Sequence, residues 1–277
     1  MSDQENVFQK QQEEQKKLES LSKETGIEVS VDTVPLPSKG LIYPVDHALC
    51  NAQTVELKMM TAKEEDLLTS KNLIKSGQVF SKLIQSCLIN KSIDPETLLI
   101  GDRNAILICL RCSGYGVNYD VKITCPDCGD DFDQTFDLSK LPIKPIGAQP
   151  LQNNVNLFEY GLPMSGLKVH FKLLTGKDEL EMSQQQEREK KVLKNQTEKS
   201  ITTRMFYSIV SINGETDRGK LLRIINNLRA GDSRAFRNYM NEIEPDVKME
   251  QIAKCPKCGD LKVDVPLSIN FFYPDLR

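Results

Sequence analysis

Apolar and polar residues alternate in six short segments of the chain, and this period of two predicts strands. The six segments are Thr54–Met60, Tyr119–Thr124, Phe132–Leu138, Leu167–Leu174, Val247–Lys254 and Leu261–Ile269. Other segments carry apolar residues at helical spacing, which predicts helices. These are Gln78–Ile89, Pro95–Leu99, Arg103–Cys112, Met205–Ile212, Lys220–Leu228 and Ser233–Ile243, with a long polar helix from Lys177 onward. The pattern therefore predicts an α+β fold.

Two of the predicted helices begin at a threonine that follows a strand. Thr61 stands at the N-cap position, and Glu64 three residues later completes a capping box. Thr175 and Asp178 repeat this arrangement in the second half of the chain. Helix capping explains these carboxylates more simply than a catalytic cluster does. By the same reasoning, Asp102 is a candidate cap for the helix that follows it.

Three segments of the first half recur in the same order in the second half. In chain order the pairs are Val55–Glu65 with Val169–Glu179 (169 − 55 = 114), Gly101–Ala105 with Gly231–Ala235 (231 − 101 = 130), and Cys125–Gly129 with Cys255–Gly259 (255 − 125 = 130). A single match would be attributed to chance, but three collinear matches favour an internal duplication. The difference between the offsets (130 − 114 = 16) indicates about 16 extra residues in the second copy, expected within 181–200 and near 213–231.

The duplication defines the predicted domain organisation. We expect a polar N-terminal arm at 1–27, a first α+β repeat at 28–150 and a second at 151–277, with the boundary in the proline-rich stretch Leu141–Pro150. Each pseudo-symmetric repeat is predicted to contain, in chain order, a strand, helices, a second strand, the CPxCG knuckle and a third strand. The arm is rich in Gln, Glu and Lys, and it is interpreted either as a segment that orders on a partner or as a tail without a role.

The charge balance narrows the range of expected partners. The 277 residues include 36 basic and 39 acidic residues, for a formal net charge of −3. This balance gives no electrostatic reason to expect nucleic acid or a membrane surface as the main partner. The sequence shows no secretory leader and no apolar run as long as a membrane span, so we expect a soluble, intracellular protein. Eight cysteines in such a chain indicate reduced thiols and a metal site.

The two CPxCG motifs carry the candidate metal ligands. Cys125 and Cys128 lie in the first motif, and Cys255 and Cys258 lie in the second. Four thiolates complete a tetrahedral structural zinc site and leave no open coordination position for catalysis. We therefore predict one structural Zn²⁺ that is shared by the two repeats and joins them.

A local alternative combines Cys109 and Cys112 with Cys125 and Cys128, at a spacing close to that of a zinc ribbon. The shared site is favoured because Cys109 and Cys112 lie in an apolar helical run, where cysteine is commonly a buried hydrophobe. They also lack the CPxCG form, and the residues at offset 130 from them are not cysteines. The local site would leave the second CPxCG motif without a metal. A third interpretation is that both motifs hold no metal.

No constellation in the sequence predicts catalysis. The two histidines, His47 and His170, have no convincing nucleophile or carboxylate partner. Asp102 beside Arg103 is explained by capping and ion pairing, and there is no phosphate-binding loop. We therefore expect a protein that is not an enzyme.

Four motifs of the first half carry a resemblance to a known family. They are the loop LPSKGLIYP at Leu36–Pro44, the capping segment Met60–Glu65, the motif GDRNA at Gly101–Ala105, and Tyr115-Gly116 with Tyr119 ahead of Cys125–Cys128. Together they resemble the baseplate proteins of T-even-type contractile-tailed bacteriophages. The resemblance covers most of residues 30–140. It implies a protein that binds other tail proteins, located in the virion tail baseplate or in the host cytoplasm during assembly, and it supplies no catalytic residues.

Two function classes follow from these observations. The leading hypothesis is a phage baseplate hub component or hub-assembly factor, which acts through protein–protein binding on a zinc-stapled scaffold within a tail assembly. Its candidate contact surfaces are the loop Val34–Pro44, the N-terminal arm and the aromatic segment Phe271–Pro274. The alternative is a nucleic-acid-binding zinc-ribbon protein, such as a viral transcription regulator. The acidic balance argues against it, because Lys254, Lys257 and Lys262 form the only basic cluster near a knuckle.

Overall fold

The computed structural model describes residues 30–192, 200–265, 267 and 269–272. Its helices are α1 (Ala62–Thr69), α2 (Lys71–Lys75), α3 (Val79–Cys87), α4 (Ile100–Tyr115), α5 (Gly176–Val192), α6 (Ser200–Ser208), α7 (Arg218–Asn226), α8 (Ala230–Ile243) and α9 (Ile269–Phe272). Its strands are β1 (Val31–Pro35), β2 (Thr54–Lys58), β3 (Asn118–Thr124), β4 (Asp131–Asp137), β5 (Ile143–Lys144), β6 (Phe158–Gly161), β7 (Lys168–Phe171), β8 (Ile209–Ile212), β9 (Asp246–Val247), β10 (Glu250–Cys255) and β11 (Gly259–Asp264). The predicted mixed α+β class is confirmed, and the predicted N-terminal arm lies outside the described residues. None of the helices described has the length and apolarity needed to cross a membrane.

The strands form small antiparallel sheets. Strand β1 pairs with β2, β3 with β4, and β10 with β11, while β6, β7 and β8 form a three-stranded sheet. The short pair β5–β9 joins the proline-rich stretch after β4 to a strand more than 100 residues later. Sheets of two or three strands have too little apolar surface to be stable alone, so each must pack against helices.

Helix α4 is surrounded by other elements on several sides. Its buried apolar residues are Ala105, Ile106, Leu107, Ile108 and Leu110. Because they are not confined to one stripe, the helix is expected to be buried rather than amphipathic. It packs against β1, β9, α3 and α9. Each fully buried Leu or Ile contributes roughly 1.5–3 kcal/mol, so this helix holds much of the fold together.

Buried residues from both predicted repeats form one continuous hydrophobic cluster. Leu83 and Ile106 belong to the first repeat, and Phe171 and Phe236 belong to the second. The close approach of the repeats requires a glycine at the start of α4, since a Cβ on Gly101 would overlap the carbonyl oxygen of Pro245. The two predicted repeats therefore pack through a shared core, in addition to the contact between the cysteine motifs.

The segment 205–212 differs from its predicted structure. We predicted a helix over Met205–Ile212, but α6 ends at Ser208 and Ile209–Ile212 is strand β8. Strand β8 pairs with β7, with Val169 opposite Ile212. The β-branched residues of β8 favour a pleated, half-buried position, and pairing with β7 overrides the helical spacing of the apolar residues.

Three further predictions were wrong in part. The predicted helix Pro95–Leu99 is a single 3₁₀ turn, Pro95–Thr97, after which Leu99 bridges to Thr175. The predicted strand Val247–Lys254 is divided between β9 and β10. The predicted strand Leu261–Ile269 ends at Asp264, and the chain forms the single turn α9 from Ile269. In each case tertiary pairing decided the element boundaries, which short periodic patterns do not define.

Candidate metal centre and contact loops

The two CPxCG motifs form the turns of two hairpins. The first motif joins β3 to β4, and the second joins β10 to β11. In the first turn, the Gly129 N–H donates to the Cys125 carbonyl at 2.9 Å. The closing glycines adopt positive φ values of 75° at Gly129 and 88° at Gly259, a region that glycine enters without strain. Both motifs thus form turns that end in a glycine with positive φ.

The four cysteines of these motifs lie together although the motifs are 130 residues apart. All four Sγ atoms of Cys125, Cys128, Cys255 and Cys258 lie within 4.8 Å of one another. The Sγ atoms of Cys128 and Cys255 are 3.7 Å apart. All eight cysteines of the chain are free thiols, so no disulfide accounts for the cluster. The group has the composition and spacing to hold a metal ion.

The spacing also fits a particular coordination. In a tetrahedral site with Zn–S bonds of about 2.3 Å, neighbouring sulfurs are about 3.8 Å apart. The observed 3.7 Å between Cys128 and Cys255 agrees with this value. Backbone N–H groups of Lys257 and Cys258 point at the Cys255 sulfur and lower the pKa of that thiol to about 7. The thiolate, which is the form that binds a metal, is thus favoured at Cys255. The pKa of Cys258 is instead raised, to about 12, because its thiol lies beside the sulfurs of Cys128 and Cys125.

The hairpins touch one another beside the cysteine cluster. The Lys254 N–H of β10 donates to the Gln134 side chain of β4 at 3.3 Å. Lys257 forms an ion pair with Asp130 across the two turns. Lys262 pairs with Glu250 at 2.8 Å. Carboxylates thus neutralise two of the three lysines near the knuckles, which weakens the case for nucleic-acid binding there.

Cys109 and Cys112 do not join the four-cysteine group. Both lie on α4, are half-buried and pack against the hydrophobic core. Burial raises the pKa of the Cys109 thiol to about 12 and also raises the pKa of Cys112. Neutral thiols of this kind behave as small hydrophobic side chains. The structure therefore brings Cys125 and Cys128 together with Cys255 and Cys258, and not with Cys109 and Cys112.

A buried carboxylate fixes the proline-rich loop of the first repeat. Asp102 has no exposed surface, and its oxygens accept from the Ser38 N–H at 2.9 Å and the Ser38 hydroxyl at 2.5 Å. The Tyr43 hydroxyl also donates to Asp102, at 2.7 Å. Asp102 therefore does not cap α4, whose N-cap is Leu99 without a side-chain bond. These hydrogen bonds hold the loop in one conformation. Val45, the residue that follows the loop, is 83% exposed.

The predicted second repeat contains a matching backbone contact to a buried aspartate, which the sequence analysis missed. Asp232 has no exposed surface, and it accepts from the Met164 N–H at 2.7 Å. Gly166 has a φ of 68°, close to the 70° of Gly40 in the first loop. The signal was present in the sequence, because Leu162–Leu167 (LPMSGL) matches LPSKGL at an offset of 166 − 40 = 126. Met164, at the tip of this second loop, is 55% exposed.

The two strand-to-helix junctions also share one set of contacts. Thr61 forms the predicted capping box with Glu64, and Lys58 pairs with Glu64 at 2.8 Å. In the second repeat, Thr175 donates its N–H to Asp178 at 3.0 Å, and Lys172 pairs with Asp178 at 2.7 Å. These carboxylates are fully used in holding helix starts, as the sequence predicted.

His170 has partners that the sequence did not reveal. Its Nδ1 lies 2.9 Å from the Ser211 hydroxyl, and its Nε2 lies 3.0 Å from Glu159. The three residues come from the adjacent strands β8, β7 and β6 and form a cross-strand network. Although Ser, His and Glu are the residue types of a hydrolytic triad, Ser211 is only 5% exposed, so a substrate has little access to its hydroxyl.

The aromatic C-terminal segment packs inside the protein. Phe271 and Phe272 are 0% and 1% exposed, and the Phe271 ring lies 5.1 Å from that of Tyr119. Arg111 of α4 donates from Nε to the Phe271 carbonyl at 2.9 Å. These two phenylalanines are therefore part of the core and not the contact surface that we predicted, while Tyr273 and Pro274 lie outside the described residues.

The sequence profile of a protein family matches most of the chain. The family is described as "T4 bacteriophage base plate protein", and the match extends over residues 36–272. It includes both proline-containing loops, both buried aspartates and both CPxCG knuckles. No curated protein and no solved structure matches the chain. The protein belongs to the family of T4 bacteriophage base plate proteins.

Proposed function

We propose that the protein is a component of the phage baseplate hub, or a factor that assembles the hub, and that it acts by binding other tail proteins. The observation that carries this proposal is the family match over residues 36–272. A baseplate protein functions among other tail components, so its main activity is protein–protein recognition. It is located in the virion tail, and in the host cytoplasm while the tail is built.

The scaffold for this binding is stapled by one structural Zn²⁺ on Cys125, Cys128, Cys255 and Cys258. The Sγ cluster supports this assignment, because its spacing fits tetrahedral thiolate coordination. The ion would supply binding energy on the order of 10 kcal/mol, which appears as folding energy. Because the four ligands come from two hairpins, the ion ties the repeats together without taking part in chemistry.

The scaffold arose by duplication of one α+β unit, with repeats at 28–150 and 151–277. Support comes from the two loop–aspartate contacts and from the two lysine–threonine–carboxylate junctions. The loop offset of 126 exceeds the junction offset of 114 by 126 − 114 = 12 residues. The first repeat therefore carries about 12 extra residues, within 42–53, between its loop and β2. The exposed Val45 lies in this insertion. The insertion is therefore the preferred surface for binding another tail protein.

The protein performs this role without catalysis. Its carboxylates at the helix starts are held by cap and lysine contacts, and a four-thiolate site has no open position for a substrate. The Ser211–His170–Glu159 network serves to pair strands of the second repeat.

Two experiments test the proposal. Phage that lack the protein should make tails with missing or defective baseplates, as seen by electron microscopy, and the purified protein should bind isolated hub proteins. Normal tails together with no hub binding would refute the assembly role.

Native mass spectrometry tests the proposed zinc site. The wild-type chain should carry one zinc ion, which Cys255→Ser removes and which the matched variant Cys109→Ser retains. Retention of zinc by Cys255→Ser, with loss in Cys109→Ser, would instead establish the local site.

A further inference from the structure

A cavity of about 240 Å³ lies between α6 and α8 in the second repeat. It is lined by Ile201, Arg204, Met205, Arg237, Met240 and Asn241. Three of these residues are apolar, two are arginines and one is an amide, and none is acidic. The cavity thus combines positive charge with an apolar floor, which is the chemistry of a site for an amphipathic anion.

The two arginines differ in their partners. One guanidinium nitrogen of Arg204 contacts both carboxylate oxygens of Glu244, at 3.1 and 2.8 Å. Arg237 has no carboxylate partner among the described residues, and its Nε–H is buried without a hydrogen-bond acceptor. A buried donor without a partner costs free energy, and such groups are rare in folded proteins. The Arg237 guanidinium is therefore available to an acceptor that enters the cavity.

The residues beside Arg237 on α6 and α8 are not acidic, and the carboxylate near the cavity, Glu244, pairs with Arg204. The residues one turn away on α8 are Ser233, Arg234, Met240 and Asn241, and none of them is acidic. The adjacent helix α6, Ser200–Ser208, contains no acidic residue. The Lys144 ammonium donates to the Asn241 carbonyl and brings a further positive charge close to the cavity.

We infer that this cavity binds a carboxylate side chain of a partner protein, carried on a segment in which an apolar residue adjoins the acidic one. The Arg237 guanidinium would receive the carboxylate, and Ile201, Met205 and Met240 would receive the apolar side chain. Arg204 already pairs with the Glu244 carboxylate beside the cavity, so Arg237 is the arginine that would receive the partner's carboxylate. The inference rests on the proposed function for the statement that the partner is a tail protein, and it adds the chemistry by which the partner is recognised.

The test uses the full-length, zinc-loaded protein and two short probes. The acidic probe is N-acetyl-Leu-Glu-amide, and its neutral match is N-acetyl-Leu-Gln-amide. Nitrogen-15 NMR of the arginine Nε–H groups should show a saturable shift of the Arg237 signal with the acidic probe alone. Arg237→Gln should weaken binding at least about tenfold, as expected for loss of a charge-assisted contact. Arg234→Gln, which changes an exposed arginine on the same helix, should leave binding unchanged.

Three results would overturn the inference. They are an unmoved Arg237 signal, equal shifts with both probes, and equal loss of binding in Arg234→Gln. Inorganic phosphate is titrated in parallel, and tighter binding of phosphate than of the acidic probe would reject the carboxylate in favour of a phosphate ligand. Because this assay needs no tail protein, its failure would leave the assembly role standing, whereas failure of the phage experiment would not affect the probe result.

Discussion

The buried carboxylate of Glu64 should make the fold sensitive to acid, and its variant Glu64→Gln allows the effect to be measured. The Glu64 side chain has no exposed surface and accepts from Lys58 at 2.8 Å and from the Ser86 hydroxyl at 2.6 Å. It also accepts the N–H and hydroxyl of Thr61, at 3.0 and 2.5 Å. Burial raises the pKa of Glu64, but these donors together outweigh burial and lower the pKa from 4.5 to about 2.

The shift in the pKa of Glu64 converts into a free energy of unfolding. The difference of about 2.5 pH units between 4.5 and about 2 corresponds to about 3 kcal/mol, at 1.36 kcal/mol per unit. Because the folded-state pKa is lowered, this stabilisation is fully present above pH 4.5 and is lost as the pH falls towards 2. By pH 3, about 2 kcal/mol of it should be gone.

Urea unfolding followed by circular dichroism measures this contribution in wild-type protein and in Glu64→Gln. The variant should be about 3 kcal/mol less stable at pH 7, and the difference should shrink to about 1 kcal/mol at pH 3. Acid also affects the cysteine cluster, but it does so equally in both proteins. Comparing wild type with Glu64→Gln at the same pH therefore removes that effect. Asp66→Asn, at an exposed position on the same helix, should show little difference at either pH. A difference between wild type and Glu64→Gln that is small at pH 7, or that does not change with pH, would refute the reasoning.

Three further substitutions test contacts that hold the proline-rich loop, helix α4 and the C-terminal segment in place. Tyr43→Phe removes a hydroxyl that makes two buried hydrogen bonds and should cost about 2–3 kcal/mol of unfolding free energy, whereas Tyr239→Phe should cost much less. In Arg111→Lys, the ammonium cannot donate to all three backbone carbonyls that the guanidinium contacts. The variant should lose about 2–4 kcal/mol of unfolding free energy, and its C-terminal segment should be cleaved faster by a protease. Unchanged proteolysis would contradict this. Gly101→Ala should lower the melting temperature by several degrees, because its methyl group would overlap the Pro245 carbonyl, and an unchanged melting temperature would show that the contact gives way.

Local features of the fold were predictable because short-range physics determines them. The capping box at Thr61 depends on residues three positions apart, and the hairpins beside each CPxCG motif follow from alternation and turn chemistry. Cys87 lies within the predicted helix Gln78–Ile89 and has no exposed surface. Strand β8 was assigned wrongly because four β-branched or small residues next to a helix have no period of their own, and pairing with β7 decides their conformation.

The sequence by itself determined the α+β class, the helix starts at Thr61 and Thr175, the knuckle turns and the motifs that mark the family. Each of these depends on neighbours in the chain or on a motif of a few residues. Only the tertiary structure decided which buried polar groups meet: Asp102 reaches back to Ser38, and Arg111 reaches forward to Phe271. The same holds for the cysteines, since two equivalent motifs suggest a shared ion but only packing of the two hairpins brings the Sγ atoms within 4.8 Å. These contacts join residues that are 64 to 160 positions apart in the chain. They form only when the whole core packs, and no local pattern contains the packing free energy that stabilises them.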